Sequence, residues 1–508
     1  MNSLSSPTAK ASTHPLNYLV ILPAAVFAVL FAICFQAQPV LCVVSGLALV
    51  FTIAVLRNFD LITLFVLFMI YSNAAVVAVK FHNVPAIAGQ AVILLAGVPL
   101  AGHLLLRGER IVLGPAFPWV MGFGLVQFCG ALAARRPELA WEGFFTFLAE
   151  GILLYLLFSN LIRTPGMLKA GIWSLLVAGC VMGGVPLFQQ LTGTFENEYG
   201  GFAQAGEPGF GTGEMTLEGQ VTQKRLSGPI GEKNRYAQIM LMLLPLGVLA
   251  ARQAGSRWEK ILALMVLGLA CAGGLLAFSR GAIVAIAITL VCGVPLRLVD
   301  GRKVLAIGTV GMILLLLTPQ YQARLLSLVK IGELFSGGRQ SSADGALKGR
   351  ATEMGAAALV YLDHPVIGVG PSQFKYYSQD YGERIGLRSL TENRQAHCLP
   401  LDVAADTGSL GLLCFIAAVV TTLRSLLAVY RQQRNTRFIR WSALAFLTAL
   451  GIYLTNGLFL HFAFIRYFWL MMALADAVSA IAQKELDAMP PSITHLKPWN
   501  SQGGISLS

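Results

Sequence analysis

"AHCLPLDVAADTGSLGLLCFIAAVVTTLRSLL", residues Ala396 to Leu427, passes from a polar stretch carrying His397, Asp402 and Asp406 into an apolar segment. The apolar part, near 408–428, is long enough to cross a bilayer as a helix. A span of that kind needs about 20 residues. The same alternation runs through the whole chain. Apolar runs of roughly 17 to 24 residues can be placed fourteen times, near 18–36, 39–56, 61–79, 86–106, 116–134, 144–162, 168–191, 236–251, 260–278, 281–296, 303–318, 408–428, 441–458 and 463–483. Of the 508 residues, 56% are hydrophobic and 12% charged, and mean hydropathy is +0.68. A soluble chain carries about 25% charged residues. The expected fold is therefore all-α, a polytopic transmembrane bundle of about 12–14 spans with a long outer loop containing short helices.

The formal charge of +12 would suit a nucleic-acid binder, but the Lys and Arg residues cluster between apolar runs, which is a topology signal. The first run begins near Tyr18 and lacks a small-residue cleavage site after it, so it reads as a span and not a signal peptide. One set of short connections holds Arg57, Arg107, Arg110, Arg163, Lys169, Arg252, Arg257, Lys260, Arg297, Arg302, Lys303, Arg431, Arg434, Arg437 and Arg440. The alternate set holds Lys80, Arg135, Arg136, Arg280 and Arg466. The first set, roughly three times richer, is expected to face the cytoplasm together with both termini.

That reading divides the chain into a cytoplasmic N-terminus (1–17), N-terminal spans (18–191), an outer Gly- and Glu-rich loop (192–235), central spans (236–318), a large outer loop (319–407), C-terminal spans (408–483) and a polar tail (484–508). The tail is expected to be disordered. Long polar insertions on one face of a bundle are where function concentrates. No internal repeat of the kind that builds inverted-repeat transporters is visible. Seven of the eight cysteines lie in apolar runs and Cys398 stands alone in a polar loop, so neither disulfides nor structural zinc are expected.

Four outer-face residues attract attention. Arg280 sits in "FSRGA" between two apolar runs. Such an arginine costs about 2.5–3.5 kcal/mol at bilayer depth, less at the interface, so it persists by snorkelling or by binding an anion. The adjacent glycine allows close approach of a ligand. Arg225 precedes a Gly-Pro turn in "RLSGPIGEKNRYAQ", and Arg350 opens an amphipathic helix that ends at "DHPVIGVG". Each taken alone reads as a solvated loop charge. Gathered on one face they suit a phosphate or diphosphate, whose oxygens match the guanidinium fork. The acids of the first loop (Glu196, Glu198, Glu207, Glu214 and Glu218) argue for a small, focused anion site. His397, with an unperturbed pKa near 6.5, can accept a proton at neutral pH. His461 and Arg466 are supporting candidates for the same cavity, as is Asp406, which serves equally well as the N-cap of the next span. No nucleotide-binding loop and no paired-carboxylate metal site are present, so any group transferred must arrive already activated.

"FSRGA", "DHPVIGVGPSQF" and "AHCLPLDVAADTGSLGLL", in that order and with "RLSGPIGEKNRYAQ" upstream, resemble the motifs of the bacterial O-antigen ligase and polymerase superfamily. The resemblance covers about Arg225 to Leu413. It implies a membrane-embedded inverting glycosyltransferase of the inner membrane, without metal, nucleotide or other cofactor. The outer loops would then be periplasmic. The donor would be an undecaprenyl-diphosphate-linked glycan, and the acceptor a hydroxyl on a growing glycan, a lipid A core or a protein. Membrane lipids are further partners, as are a chain-length regulator or export components; nucleic acid is not. Arg225, Arg280 and Arg350 would grip the diphosphate and His397 would act as base. Two departures stand out: the family's Asn after the histidine is Cys398 here, and fourteen spans exceed the usual dozen. The competing classes are a flippase or transporter of lipid-linked oligosaccharide, which calls for polar residues along several spans, and a structural scaffold.

Overall fold

The computed structural model describes residues 59–205, 213–216, 219–222, 225–294, 300–317, 345–390 and 392–488. The expected spans near 18–36 and 39–56, the stretch 1–17 before them and the end of the tail lie outside the described residues. Contacts divide the chain into Met1–Leu61 and Ile62–Ser508. Of the first unit only 59–61 are described, so the account below concerns the second.

The structure is helical. The first half holds α1 (Phe59–Tyr71), α2 (Ala74–Phe81), α3 (Ala86–Leu95), α4 (Gly97–Leu105), α5 (Phe117–Leu132), α6 (Pro137–Phe147), α7 (Leu154–Leu161) and α8 (Pro165–Thr192). A π-helical turn, Leu148–Leu153, joins α6 to α7. After a loop come α9 (Lys233–Arg252), α10 (Arg257–Leu276), α11 (Arg280–Gly293) and α12 (Gly301–Leu316). The last part holds α13 (Gly345–Asp363), α14 (Ser378–Ile385), α15 (Leu399–Arg431), α16 (Arg437–Gly457) and α17 (Ile465–Asp487). Among the described residues seven helices are long and apolar enough to cross a membrane, eight if the bent pair α1–α2 is one span. The all-α polytopic bundle and a multi-pass membrane protein follow.

Some spans differ in form from the expectation. The run near 61–79 bends by 59° between α1 and α2, where Asn73 takes a left-handed φ of 60° that asparagine tolerates better than most residues. Its amide donates to the Pro229 carbonyl at 2.7 Å and so ties the bend to the neighbouring loop. The run near 86–106 is divided into α3 and α4 at Ala96. The run near 408–428 starts earlier, at Leu399, and kinks at Gly408. Local chemistry sets the helix starts. Thr164 Oγ1 accepts from the Met167 N–H at 3.2 Å, with Pro165 following at the first helical position. Glu232 accepts from the N–H groups of Asn234 at 3.0 Å and Arg235 at 2.7 Å. Both are side-chain caps of the kind that satisfies the free N–H groups of a first turn. Two short antiparallel ladders interrupt the helical pattern between α8 and α9. In one, β1 (Gln204–Ala205) pairs with β4 (Leu226–Gly228); in the other, β2 (Gly213–Thr216) pairs with β3 (Gly219–Thr222).

α17 is the centre of the bundle, with 83% of its most apolar window buried against 28% for α10, which is peripheral. Phe123 of α5, Phe147 of α6, Phe415 of α15 and Trp469 of α17 meet edge-to-face or tilted, with ring centres between 5.2 Å and 6.3 Å apart. Such pairings are the favoured ones for aromatic rings, and they form an apolar plug just below the site. The two classes of connection separate to opposite ends. At one end Arg163 donates to the Arg110 carbonyl, Lys169 pairs with Glu259, Arg252 lies over Trp441, and Thr436 bonds Glu485. At the other, Asn73 bonds Pro229, Arg225 bonds Ala277, Arg136 bonds Gln373 and Arg235 bonds His461. The arginine-rich connections are thus one face and the functional candidates the other.

Candidate functional site

The site forms where four connections converge: the β4–α9 loop, the α10–α11 turn, the α13–α15 segment and the α16–α17 loop. Its frame is a backbone interlock between "DHPVIGVGPSQF" and the start of α15. The Val369 and Gly370 N–H groups donate to the carbonyls of Ala405 (3.0 Å) and Asp406 (2.9 Å), and those of Ser409 and Leu410 donate to Pro365 (2.7 Å) and Val366 (3.2 Å). Two glycines make this possible. A Cβ on Gly368 would lie 2.4 Å from the Asp406 carbonyl carbon, and one on Gly408 would lie 2.4 Å from that of Val366. Gly408 also has φ 62° and ψ −166°, a conformation essentially reserved to glycine. Asp406 completes the frame: its carboxylate accepts from the N–H groups of Ser372 and Phe374, both at 2.8 Å. It therefore caps the neighbouring turn, and the N-cap alternative for Asp406 does not hold, because the helix already begins at Leu399.

His397 precedes that helix with a left-handed φ of 49°, which directs its ring toward α13. Its Nε2 lies 3.5 Å from Oε2 of Glu353, which is buried on α13 three residues after Arg350. Its Nδ1 is buried without a hydrogen-bond partner among the described residues. Burial first, then the guanidinium groups of Arg350, Arg235 and Arg394, hold the imidazole down at about 4, from an ordinary 6.5. Both effects disfavour the charged form of a base. Burial pushes Glu353 up to about 7, against the opposing pull of Arg394, Arg350 and Arg388. His461 stands edge-on to His397, ring centres 5.6 Å apart, and is itself held well below the usual range by burial, by Arg235 and by His397.

The sequence candidates divide among several tasks. Arg350 and His461 stand in the electrostatic neighbourhood of His397. Arg225 is buried; its Nε donates to the Ala277 carbonyl at 2.7 Å and its Nη2 to Asn234 Oδ1 at 3.1 Å. It thus clasps the turn that opens α11. Arg280 is the first residue of that helix, behind Ser279, whose hydroxyl accepts from the Ala282 N–H. The next residue, Gly281, packs closely against Phe459 at the end of α16, which brings the start of α11 to the His461 loop. Arg466 donates to Glu150 Oε1 at 2.8 Å and to Asn73 Oδ1 at 2.7 Å. That partly buried bridge anchors the start of α17 to the π-turn and to the α1–α2 bend, and so supports the loop carrying His461. Cys398 is buried at the N-cap of α15 and makes no side-chain cap.

Three contributors escaped the sequence reading. Glu353 would have been found as the acid three residues after Arg350 on one helix face. Arg235, 1% exposed, donates to Gln238 Oε1 (2.8 Å) and to the His461 carbonyl (2.5 Å); its signal was a charge beside the start of an apolar run. Arg394, three residues before His397, carried no distinguishing pattern. Beside the histidines lies a cavity of about 300 Å³ between α5, α6, α15 and the His461–Ile465 loop. Among the described residues no group of three or more His, Cys, Asp or Glu side chains is arranged to hold a metal ion.

An imidazole 3.5 Å from a buried carboxylate, with several arginines acting on it, marks the candidate site of this multi-pass membrane protein. Residues 263–416 match the family model described as O-Antigen ligase. The match bears out the resemblance to the O-antigen ligase and polymerase superfamily and supports glycan transfer of that type, from a lipid-linked glycan to an acceptor. A comparison with curated proteins finds no match.

Proposed function

We propose that the protein is an inverting glycosyltransferase of the bacterial inner membrane, moving a glycan from an undecaprenyl-diphosphate-linked donor to an acceptor hydroxyl at its periplasmic face. The observation that carries this reading is His397 Nε2 at 3.5 Å from Glu353, among arginines and inside the matched segment.

The chemistry follows from the charges. The acceptor O–H gives its proton to His397 as its oxygen attacks the anomeric carbon. The bond from that carbon to the diphosphate breaks, and the electron pair leaves on the diphosphate. One direct displacement inverts the centre. Imidazole held at about 4 is neutral and ready to accept, but a weak base. Two changes strengthen it. Ionised Glu353, 3.5 Å from Nε2, stabilises the imidazolium as it forms. The incoming diphosphate offsets the guanidinium charge of Arg350 and its neighbours, so the base gains strength when the donor is bound. Arg280, with Arg225 holding its turn, and Arg350 are assigned to the diphosphate, whose charge grows in the transition state.

Glycan transfer by purified wild-type and His397→Ala protein tests the reading, with lipid-linked oligosaccharide as donor and neither metal nor nucleotide added. Wild-type transfer that His397→Ala loses, at unchanged donor binding, is expected. Equal activity of the two removes His397 from the mechanism. A protein that scrambles lipid-linked oligosaccharide between leaflets but transfers nothing is a flippase.

A further inference from the structure

The cavity beside the histidines is unlike the arginine-rich surroundings of His397. Among the described residues its walls carry no lysine or arginine apart from Lys375, and Arg235, Arg350 and Arg394, the guanidinium groups that act on His397, do not line it. Its polar lining includes the carboxylates of Glu142, Asp402 and Asp406 and the amides of Gln127 and Gln395. Apolar faces come from Phe123, Phe147, Phe462 and Phe464. Asp402 is only 6% exposed. Its Oδ2 accepts from the Phe462 N–H at 2.9 Å, while Oδ1 completes no hydrogen bond in good geometry, although the Ala396 N–H bears on the carboxylate. The cavity reaches the reactive histidine through His461, which lines it 5.6 Å from His397, and through Gln395, two residues before it.

Aromatic faces with amides and carboxylates suit a sugar: rings pack on its C–H faces while amides and carboxylates accept from its hydroxyls. At about 300 Å³ the space lies at the small end of the range for small-molecule sites, about 300–1,000 Å³, room for a terminal sugar. A phosphate there would meet Glu142 and Asp402 with a single lysine to offset them. We infer that this cavity holds the acceptor end of the reaction and selects a glycan terminus that is uncharged or bears an amine, against one phosphorylated near the reacting hydroxyl. The inference rests on the transferase reading above and divides its acceptors: a neutral growing glycan fits the cavity, a phosphorylated core oligosaccharide does not.

The test uses one oligosaccharide acceptor in two forms, unmodified and carrying a phosphate monoester on the terminal sugar. Wild-type protein should show a KM at least tenfold higher for the phosphorylated form. Glu142→Lys, on the exposed rim, should raise KM for the unmodified acceptor and narrow that ratio, while the affinity for undecaprenyl diphosphate stays as in wild type. Binding of both acceptors to His397→Ala protein, by titration calorimetry, gives a readout that needs no turnover. Transfer or binding with equal preference for the two forms overturns the charge selection and leaves the transferase reading intact. A Glu142→Lys effect on undecaprenyl diphosphate instead of the acceptor overturns the assignment of the cavity. Charge-selective binding by a protein that transfers to neither form sinks the transferase reading and keeps the cavity as a glycan site.

Discussion

Replacing Glu353 by Gln keeps the size of the side chain and removes its charge, and so isolates the partner that the structure gives His397. Opposite unit charges about 4 Å apart at an effective dielectric near 20 interact by about 4 kcal/mol. At the 3.5 Å separation the same relation gives about 5 kcal/mol, a ceiling for what Glu353 contributes as His397 becomes imidazolium. The glutamine retains a polar contact, so the loss falls below the ceiling. At about 1.4 kcal/mol per tenfold, kcat should drop between about tenfold and about 10³-fold. The pH profile carries the sharper information. In the free enzyme His397, at about 4, is already unprotonated across pH 5–9. Glu353, at about 7, is protonated below that value and charged above it. Wild-type kcat/KM for the donor, which reports the free enzyme, should therefore rise through about pH 7, and the rise should vanish in Glu353→Gln, leaving a low, flat profile. Transfer from pH 5 to 9, at saturating donor for kcat and at donor well below KM for kcat/KM, reads both quantities. A variant within twofold of wild type, or one that keeps the rise at pH 7, would refute the pairing.

Gly408→Ala places a methyl group 2.4 Å from the Val366 backbone at a φ/ψ pair that costs a non-glycine residue about 1–3 kcal/mol. The unfolding midpoint in detergent should fall by several degrees and transfer should be lost with it; an unchanged midpoint would mean the interlock is dispensable. Glu150→Ala leaves Arg466 without its carboxylate; breaking a fully buried pair costs about 3–5 kcal/mol, and this partly exposed one should cost less. Thermal unfolding should show that loss, and the double variant Glu150→Ala/Arg466→Met should recover part of it. Arg280→Lys should restore donor binding poorly compared with wild type, because an ammonium does not reproduce a bidentate fork; titration with undecaprenyl diphosphate is the check, and full affinity would end the clamp role.

The hydrophobic runs determined on their own that this chain is a multi-pass helical bundle, since a segment of that length and composition has only one favourable environment and one way to satisfy its backbone there. The sorting of Arg and Lys likewise separated the two faces, and the order of "FSRGA", "DHPVIGVGPSQF" and "AHCLPLDVAADTG" marked the segment that carries the family match. Periodicity left open how the spans bend, because helix breaks such as the one at Asn73 are held by partners far along the chain: its amide bonds Pro229, 156 positions away. The division of labour within the site was equally hidden. Asp406 could be a cap or a supporting residue of the site in sequence, and only the docking of the 365–374 turn onto α15 gives it two N–H groups to hold. Glu353 and His397 lie on separate segments, and nothing in either segment names the other. A carboxylate–imidazole pair depends on two side chains meeting within a few ångströms in a place poor in water, and that meeting is a property of the packed bundle.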